Sequence, residues 1–256
     1  MRWRRYVATG DSMTEGLWDT DPAEPEVTRG WADLLARQLA DLAPPATVEY
    51  ANLAVRGRLL GQILGEQLPA ALELEPDLVS VVGGGNDLLR PGSDPDALAG
   101  RLDAAVAQVR RRGVDVLMAS GTDPSVGLLR AIRPKVAVFN THVWSIARRH
   151  GAHVLDLWGM RSLRDPRMWA SDRVHLSTAG HERVAQAALV ALGLEPRTAS
   201  WDDPLEPLPP RARSERLRGE LTWARTYLGP WVARRLRGTS TGDGRPPKRP
   251  VPQVVR

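Results

Sequence analysis

Five short, continuous apolar runs, Arg5–Thr9, Thr47–Asn52, Leu78–Val82, Val114–Ala119 and His153–Leu157, alternate with stretches of helical periodicity. Runs of this kind are what strands covered on both faces look like in sequence. The stretches between and after them predict helices over Gly30–Leu42, Leu59–Leu72, Asp94–Arg112, Pro134–His150 and Thr178–Leu192. In the third of these, Leu98, Leu102, Ala105, Val106 and Val109 share one face. Ser93 is its expected cap, Pro95 suits its first turn, Arg110–Arg112 complement its dipole and Gly113 stops it. Repeated strand–helix–strand units imply a parallel sheet with right-handed crossovers and helices on both faces, a three-layer α/β/α sandwich. Sites on such sheets form at the carboxyl ends of the strands. The segments after Thr9, Asn52 and Val82 are therefore predicted to meet on one rim.

A chain of 256 residues with 42% apolar content can bury one large domain and carry an appendage. It has no cysteine, which excludes disulfides, thiolate metal sites and a cysteine nucleophile. The basic start Met1–Tyr6 leads into a short apolar stretch rather than a signal-peptide core, and no run approaches a membrane span. The expectation is a soluble, cytoplasmic protein. The net charge of +5 is uneven: Leu205–Arg256 holds eleven Arg and one Lys against three Glu and one Asp, a net +8, which leaves Met1–Pro204 at −3. After Leu192 the pattern changes, with five prolines between Glu195 and Pro210 and a helix-like stretch over Ser214–Leu228. The expected organisation is an α/β domain over 1–194, a Pro-rich crossing segment and basic helix docked on it over 195–237, and a disordered basic tail over 238–256.

The chemistry concentrates in two places. Gly10-Asp11-Ser12-Met13-Thr14-Glu15-Gly16 follows the first strand, and a serine lifted off a sheet by such a turn is well placed for nucleophilic attack. Far downstream, Asp172-Arg173-Val174-His175 puts a carboxylate three residues before an imidazole, a spacing that lets the acid fix the tautomer of the base. Two other patterns are rejected. Gly238-Thr239-Ser240-Thr241-Gly242 fits a nucleophile-elbow motif but lacks the flanking strand and helix that give the motif meaning. His150, His153 and Asp156 straddle a helix end and a strand start, with no further ligand cluster, so no metal or cofactor is expected.

Four separated blocks resemble those of the GDSL/SGNH hydrolase family: Gly10-Asp11-Ser12, Asn52-Leu53-Ala54-Val55-Arg56-Gly57, Gly84-Gly85-Asn86-Asp87, and Asp172-Arg173-Val174-His175. The resemblance spans Tyr6 to about Leu192 and departs mildly in having Met13 where a leucine is usual. It implies a flavodoxin-like fold and a serine esterase. Ser12 would be the nucleophile, His175 the general base and Asp172 its orienting acid. The Ser12 and Gly57 N–H groups and the Asn86 amide would form the oxyanion hole, with no metal or cofactor. Glycine at 57 would keep a side chain from obstructing the approach of substrate to backbone.

The expected substrate is a small-molecule carboxylic ester, with short-chain or acetyl esters favoured. Thioesterase, deacetylase or lysophospholipase activity on the same scaffold is the alternative. The loop Leu17–Arg29 and the residues Trp158, Met160, Met168 and Trp169 are candidate pocket walls, although each type is more often packing. The Arg-rich C-terminal segment, interleaved with Trp223, Tyr227 and Trp231, suggests a non-enzymatic alternative, binding to nucleic acid or an anionic membrane surface. Docking of Leu217, Leu221, Leu228 and Trp231 onto the domain is the preferred account of that segment.

Overall fold

In the computed structural model, residues 3–21, 24–45, 47–125, 127–209 and 212–255 are described. The strands are β1 (Arg5–Gly10), β2 (Thr20–Asp21), β3 (Glu24–Thr28), β4 (Val48–Asn52), β5 (Leu78–Val82), β6 (Asp115–Ala119), β7 (His153–Leu155) and β8 (Arg249–Val255). β2 and β3 form a small antiparallel hairpin, and the other six form one sheet in the order β7-β6-β5-β1-β4-β8. β1, β4, β5, β6 and β7 run parallel, and β8 joins the β4 edge antiparallel. Counted along the chain, the parallel strands lie in the order 2-1-3-4-5, the flavodoxin-like arrangement.

The helices are α1 (Ser12–Glu15), α2 (Trp31–Asp41), α3 (Leu60–Gln62), α4 (Leu68–Glu73), α5 (Gly85–Leu88), α6 (Pro95–Arg111), α7 (Arg133–His150), α8 (Thr178–Ala191), α9 (Arg213–Trp223) and α10 (Gly229–Leu236). A π-helical turn, Ile63–Gln67, joins α3 to α4, and a second, Ala224–Leu228, joins α9 to α10. Helices α2 and α8 cover one face of the sheet, and α4, α6 and α7 cover the other. Strand periodicity of two divides the side chains between these layers: Tyr6 and Ala8 enter the first core, and Val7 enters the second. Trp31, Leu35 and Leu39 of α2 are fully buried, each contributing about 1.5–3 kcal/mol of hydrophobic burial.

Three expectations change. Helix α6 is capped by Asp94 rather than Ser93: its carboxylate accepts from Asp96 N–H at 2.9 Å and Ala97 N–H at 3.3 Å, while Ser93 Oγ donates to the Leu88 carbonyl. A charged acceptor at the helix N-terminus also meets the positive end of the dipole. Of the residues expected to dock the C-terminal helix, Leu217 and Leu221 are 63% and 64% exposed, Trp231 is 37% exposed, and Leu228 is half-buried. Among that helix's contacts with the domain are polar and aromatic ones from Glu220, Trp223 and Tyr227.

The tail also differs from the disordered expectation. After a turn at Ser240–Asp243, β8 pairs with β4 in the register Val48↔Val255 and Tyr50↔Gln253. Low-complexity composition argues against a self-sufficient core, but one strand needs only a free edge to pair with. Lys248, just before β8, has its side chain only 12% exposed, with its Nζ 2.6 Å from the Glu15 carbonyl, 2.9 Å from the Thr28 carbonyl, 2.5 Å from the Arg29 carbonyl and 2.6 Å from Asp33 Oδ2. It ties together α1, the end of the hairpin and the first turn of α2. No helix among the described residues is long and apolar enough to cross a membrane.

Burial pushes the Asp33 carboxyl up and the Lys248 ammonium down, and their mutual attraction opposes both shifts. Removing one partner therefore leaves a buried, uncompensated charge. Lys248→Met is expected to cost about 3–5 kcal/mol in urea unfolding. Asp33→Asn in the same background should restore most of that loss.

Candidate active site

β1 ends at Gly10, and Asp11 caps α1 by accepting the Met13 N–H at 3.1 Å. Ser12 thus opens a helical turn directly over the end of a central strand. Its Oγ lies 2.8 Å from His175 Nε2. The partner arrives on a tight loop before α8, closed by the Ala170 N–H to the His175 carbonyl at 2.8 Å. Asp172 organises this loop with its own side chain: Oδ1 accepts the Val174 and His175 N–H groups at 3.0 Å, and Oδ2 is 2.5 Å from His175 Nδ1. A carboxylate only accepts, so Nδ1 carries the proton and Nε2 is left to take one from Ser12. Burial pushes the Asp172 carboxyl up, but the bonds from the His175 ring and the two N–H groups outweigh it and hold the group below its ordinary value.

The two remaining sequence-predicted residues lie on neighbouring segments. Asn86 sits in α5, after β5, with its amide donating to the Arg58 carbonyl at 3.1 Å and to Asp11 Oδ2 at 3.3 Å. The second bond is long, and it is the one directed toward the Ser12 turn. Gly57, beyond β4, has a left-handed backbone with φ of 78°. Its N–H makes no hydrogen bond among the described residues. The reason for glycine differs from the expected one, because a Cβ there would lie 1.9 Å from Ser240 Oγ. The C-terminal turn, rather than open substrate space, fills the position where a side chain would go.

Several residues shape this site through contacts that no sequence pattern assigned to them. Glu15, buried at the end of α1, accepts the Arg56 N–H at 2.6 Å and pairs with the Arg56 guanidinium, clamping the loop that delivers Gly57. Asn52 bonds the Thr14 carbonyl at 2.9 Å and the Ala54 N–H at 3.0 Å, joining the same loop to α1. The Gln67 amide accepts from Gly10 N–H and donates to Gly10 O, standing in for a strand partner at the end of β1. Trp18 donates its indole N–H to Asp172 Oδ2 at 2.8 Å.

Other candidates lie elsewhere. Met160 and Met168 are buried in the α2–α8 core, and Trp169 packs against that core with its N–H on the Leu163 carbonyl. Trp158 packs against the opposite core, beneath the Arg133 guanidinium. His150 pairs with Asp103 of α6 and His153 with the Ala191 carbonyl of α8, so the two imidazoles engage different elements. Of the Leu17–Arg29 loop, Asp19 is buried and pins the segment to Arg29, Gly30 and Thr178. His181 is buried beside it, with burial pushing it down to about 4 and its Nδ1 accepting the Trp31 N–H.

The sequence profile of the GDSL-like Lipase/Acylhydrolase family matches residues 8–183. Among solved structures, TesA is similar at 25% identity and a TM-score of 0.60, over 73% of this chain and 97% of that one. An alpha/beta hydrolase enzyme from the metagenome of Lake Arreo, Spain, aligns at 24% identity and 0.63, over 74% and 94%. An acetylxylan esterase from Geobacillus stearothermophilus aligns at 19% identity and 0.65, over 77% and 97%. Comparison with curated protein sequences gives no match. The segment from Glu195 onward lies outside the family match.

Burial pushes the Asp11 carboxyl up to about 6, against the Met13 N–H bond and the nearby His175. A folded-state value above the unfolded one favours folding below about pH 4 and loses that contribution as pH rises through about 6. Asp11→Asn keeps an acceptor at the cap. Thermal melts should therefore show the variant gaining on the parent as pH rises from about 4 to about 8. A stability difference that does not change over that range would contradict the assignment.

Proposed function

Because the chain belongs to the GDSL-like lipase/acylhydrolase family and is thus an ester-bond hydrolase, we propose that it cleaves carboxylic esters through an acyl-enzyme formed on Ser12. Ser12 Oγ attacks the ester carbonyl carbon while its proton passes to His175 Nε2. The tetrahedral intermediate carries its negative charge on the former carbonyl oxygen. The Ser12 and Gly57 N–H groups and the Asn86 amide stabilise that charge. Collapse breaks the bond to the alcohol, which leaves with the proton held by His175. A water molecule then attacks the acyl group, His175 takes its proton, and collapse returns that proton to Ser12 as the acid departs. Asp172 keeps the imidazole in one tautomer and compensates the imidazolium.

The observation that carries this reading is the unbroken line from Asp172 through His175 to Ser12, at 2.5 and 2.8 Å. For Asn86, the long bond to Asp11 is the one an oxyanion replaces, while the bond to the Arg58 carbonyl keeps the amide aimed. The hydrogen-bond partners of His175 and Asn86 at this site are polar groups: Ser12, Asp172, Asp11 and the Arg58 carbonyl. Surroundings of that kind suit short acyl groups, acetyl above all, better than long chains that need an apolar trench.

Ser12→Ala and His175→Ala are each expected to lower kcat by about 10⁴–10⁶-fold. Asn86→Ala is expected to lower it by about 10²–10³-fold, because only one of three oxyanion donors is removed. Fluorophosphonate labelling of the parent should map to Ser12, and a Ser12→Ala protein with parent-like turnover would sink the proposal. A p-nitrophenyl ester series should favour acetate and butyrate over decanoate, and the reverse order would remove the short-acyl assignment.

A further inference from the structure

Among the described residues, three non-glycine positions have a left-handed backbone, and two of them flank the Asp172 carboxylate: Trp18 with φ of 72° and Arg173 with φ of 60°. Bulky side chains avoid this conformation, and it persists where surrounding contacts over-determine it. The Trp18 indole N–H reaches Asp172 Oδ2 at 2.8 Å, the same oxygen that receives His175 Nδ1. With the two backbone N–H groups on Oδ1, the carboxylate holds four donors, its full complement. The carboxylate-bearing side chain is left only 13% exposed.

The second set of contacts comes from the C-terminal helical segment. Glu220, Trp223 and Tyr227 lie three and four residues apart, on one helical face, and grip three consecutive residues of the Asp172 loop. The Tyr227 hydroxyl donates to Ser171 Oγ at 2.8 Å. The Trp223 indole N–H donates to the Asp172 carbonyl at 2.9 Å. Arg173 donates to both Glu220 carboxylate oxygens at 2.8 Å, and its guanidinium lies 5.0 Å from the Trp223 ring centre. The Trp18 ring meets Tyr227 edge-on, with centroids 6.2 Å apart. The side chain of Asp172 is thus held by Trp18 and its main chain by Trp223, and the two holds are linked through the Trp18–Tyr227 contact.

We propose that the segment Arg213–Leu236 is a working part of the active site, with Trp223 as the residue that positions the Asp172 main chain and Trp18 as the residue that positions its carboxylate. A displaced Asp172 turns the His175 ring and lengthens its reach to Ser12, and small misplacements of this kind cost rate far more than they cost substrate binding. Trp18 has a further effect. Its N–H withdraws charge from Asp172 Oδ2, so it tempers how strongly that carboxylate supports a protonated His175. The inference rests on the Ser12–His175–Asp172 reading.

The test uses the full chain with p-nitrophenyl acetate. Trp223→Phe keeps an aromatic face for Arg173 and removes the N–H donor. It is expected to lower kcat by about tenfold while KM stays within about twofold of the parent. Trp18→Phe leaves Asp172 with one donor fewer, and the acid limb of its kcat/KM profile is expected to move to higher pH. Parent-like kcat in Trp223→Phe overturns the Trp223 role, and a parent-like profile in Trp18→Phe overturns the Trp18 role. If Trp223→Phe does not fold, Glu220→Gln decides in its place: it removes the charge opposite Arg173 at an exposed position. A fall in its kcat with unchanged KM and Tm supports the clamp, and an unchanged kcat overturns it. Ser12→Ala run alongside separates the two failures. If that variant keeps turnover, the proposed reaction is wrong; if it is dead while the clamp variants match the parent, only the clamp is wrong.

Discussion

Burial of the central sheet on both faces governs where this chain can keep its chemistry. Strand interiors accept a polar group only when it is satisfied, as Ser80 is by the Tyr6 hydroxyl. Titratable and nucleophilic residues are therefore driven to the strand ends. The carboxyl ends of β1 and β5 are adjacent, and there the order of the parallel strands reverses, which opens a crevice. Asp11 and Ser12 leave one side of that crevice and Asn86 and Asp87 the other. The loop after β4 approaches from the flank. The Asp172–His175 loop completes the group from outside the sheet, with its fixed end at α8.

What could be read from the sequence was local. Leu78–Val82 matches its strand end to end, because four apolar residues around one small serine, all buried, leave little freedom in setting its limits. Ser12 was legible because strand, turn and serine are contiguous, and the Asp172–His175 pair because the acid and base share one turn. Gly57 was legible as a glycine but not for its reason, since Ser240 lies 183 positions away in sequence. The supports that no pattern announced are all long-range: Glu15 with Arg56 across 41 residues, Trp18 with Asp172 across 154, Trp223 with Asp172 across 51, and Lys248 with Asp33 across 215. Periodicity reports which face of an element is apolar. It cannot report which distant polar group will satisfy which donor.

The uneven charge of the chain takes on a structural meaning once the tail is seen in place. Lys248 carries its charge into a cluster of carbonyls closed by Asp33, and the Arg249 guanidinium lies over the Tyr50 ring. The traffic also runs the other way, since Arg173 of the domain pairs with Glu220 of the helical segment. A composition that looks like an interaction tail is thus partly used within the chain. The Gly-x-Ser-x-Gly stretch is part of the same economy: it is no nucleophile elbow, yet Gly242 fits against the Arg56 carbonyl because it has no side chain.

β8 has one more consequence. Its sequence, Arg-Pro-Val-Pro-Gln-Val-Val, places prolines at 250 and 252, two positions of the same parity. Both fall where the pairing with β4 is irregular, between the partners Tyr50↔Gln253 and Asn52↔Arg249. Two residues without N–H donors leave gaps in any ladder this stretch could offer. A terminal strand with two donors missing offers a poor template to any further strand, whether from a misfolded neighbour or from a second copy of the chain. The last strand both extends the sheet and terminates it, protecting a parallel edge that would otherwise be open to aggregation.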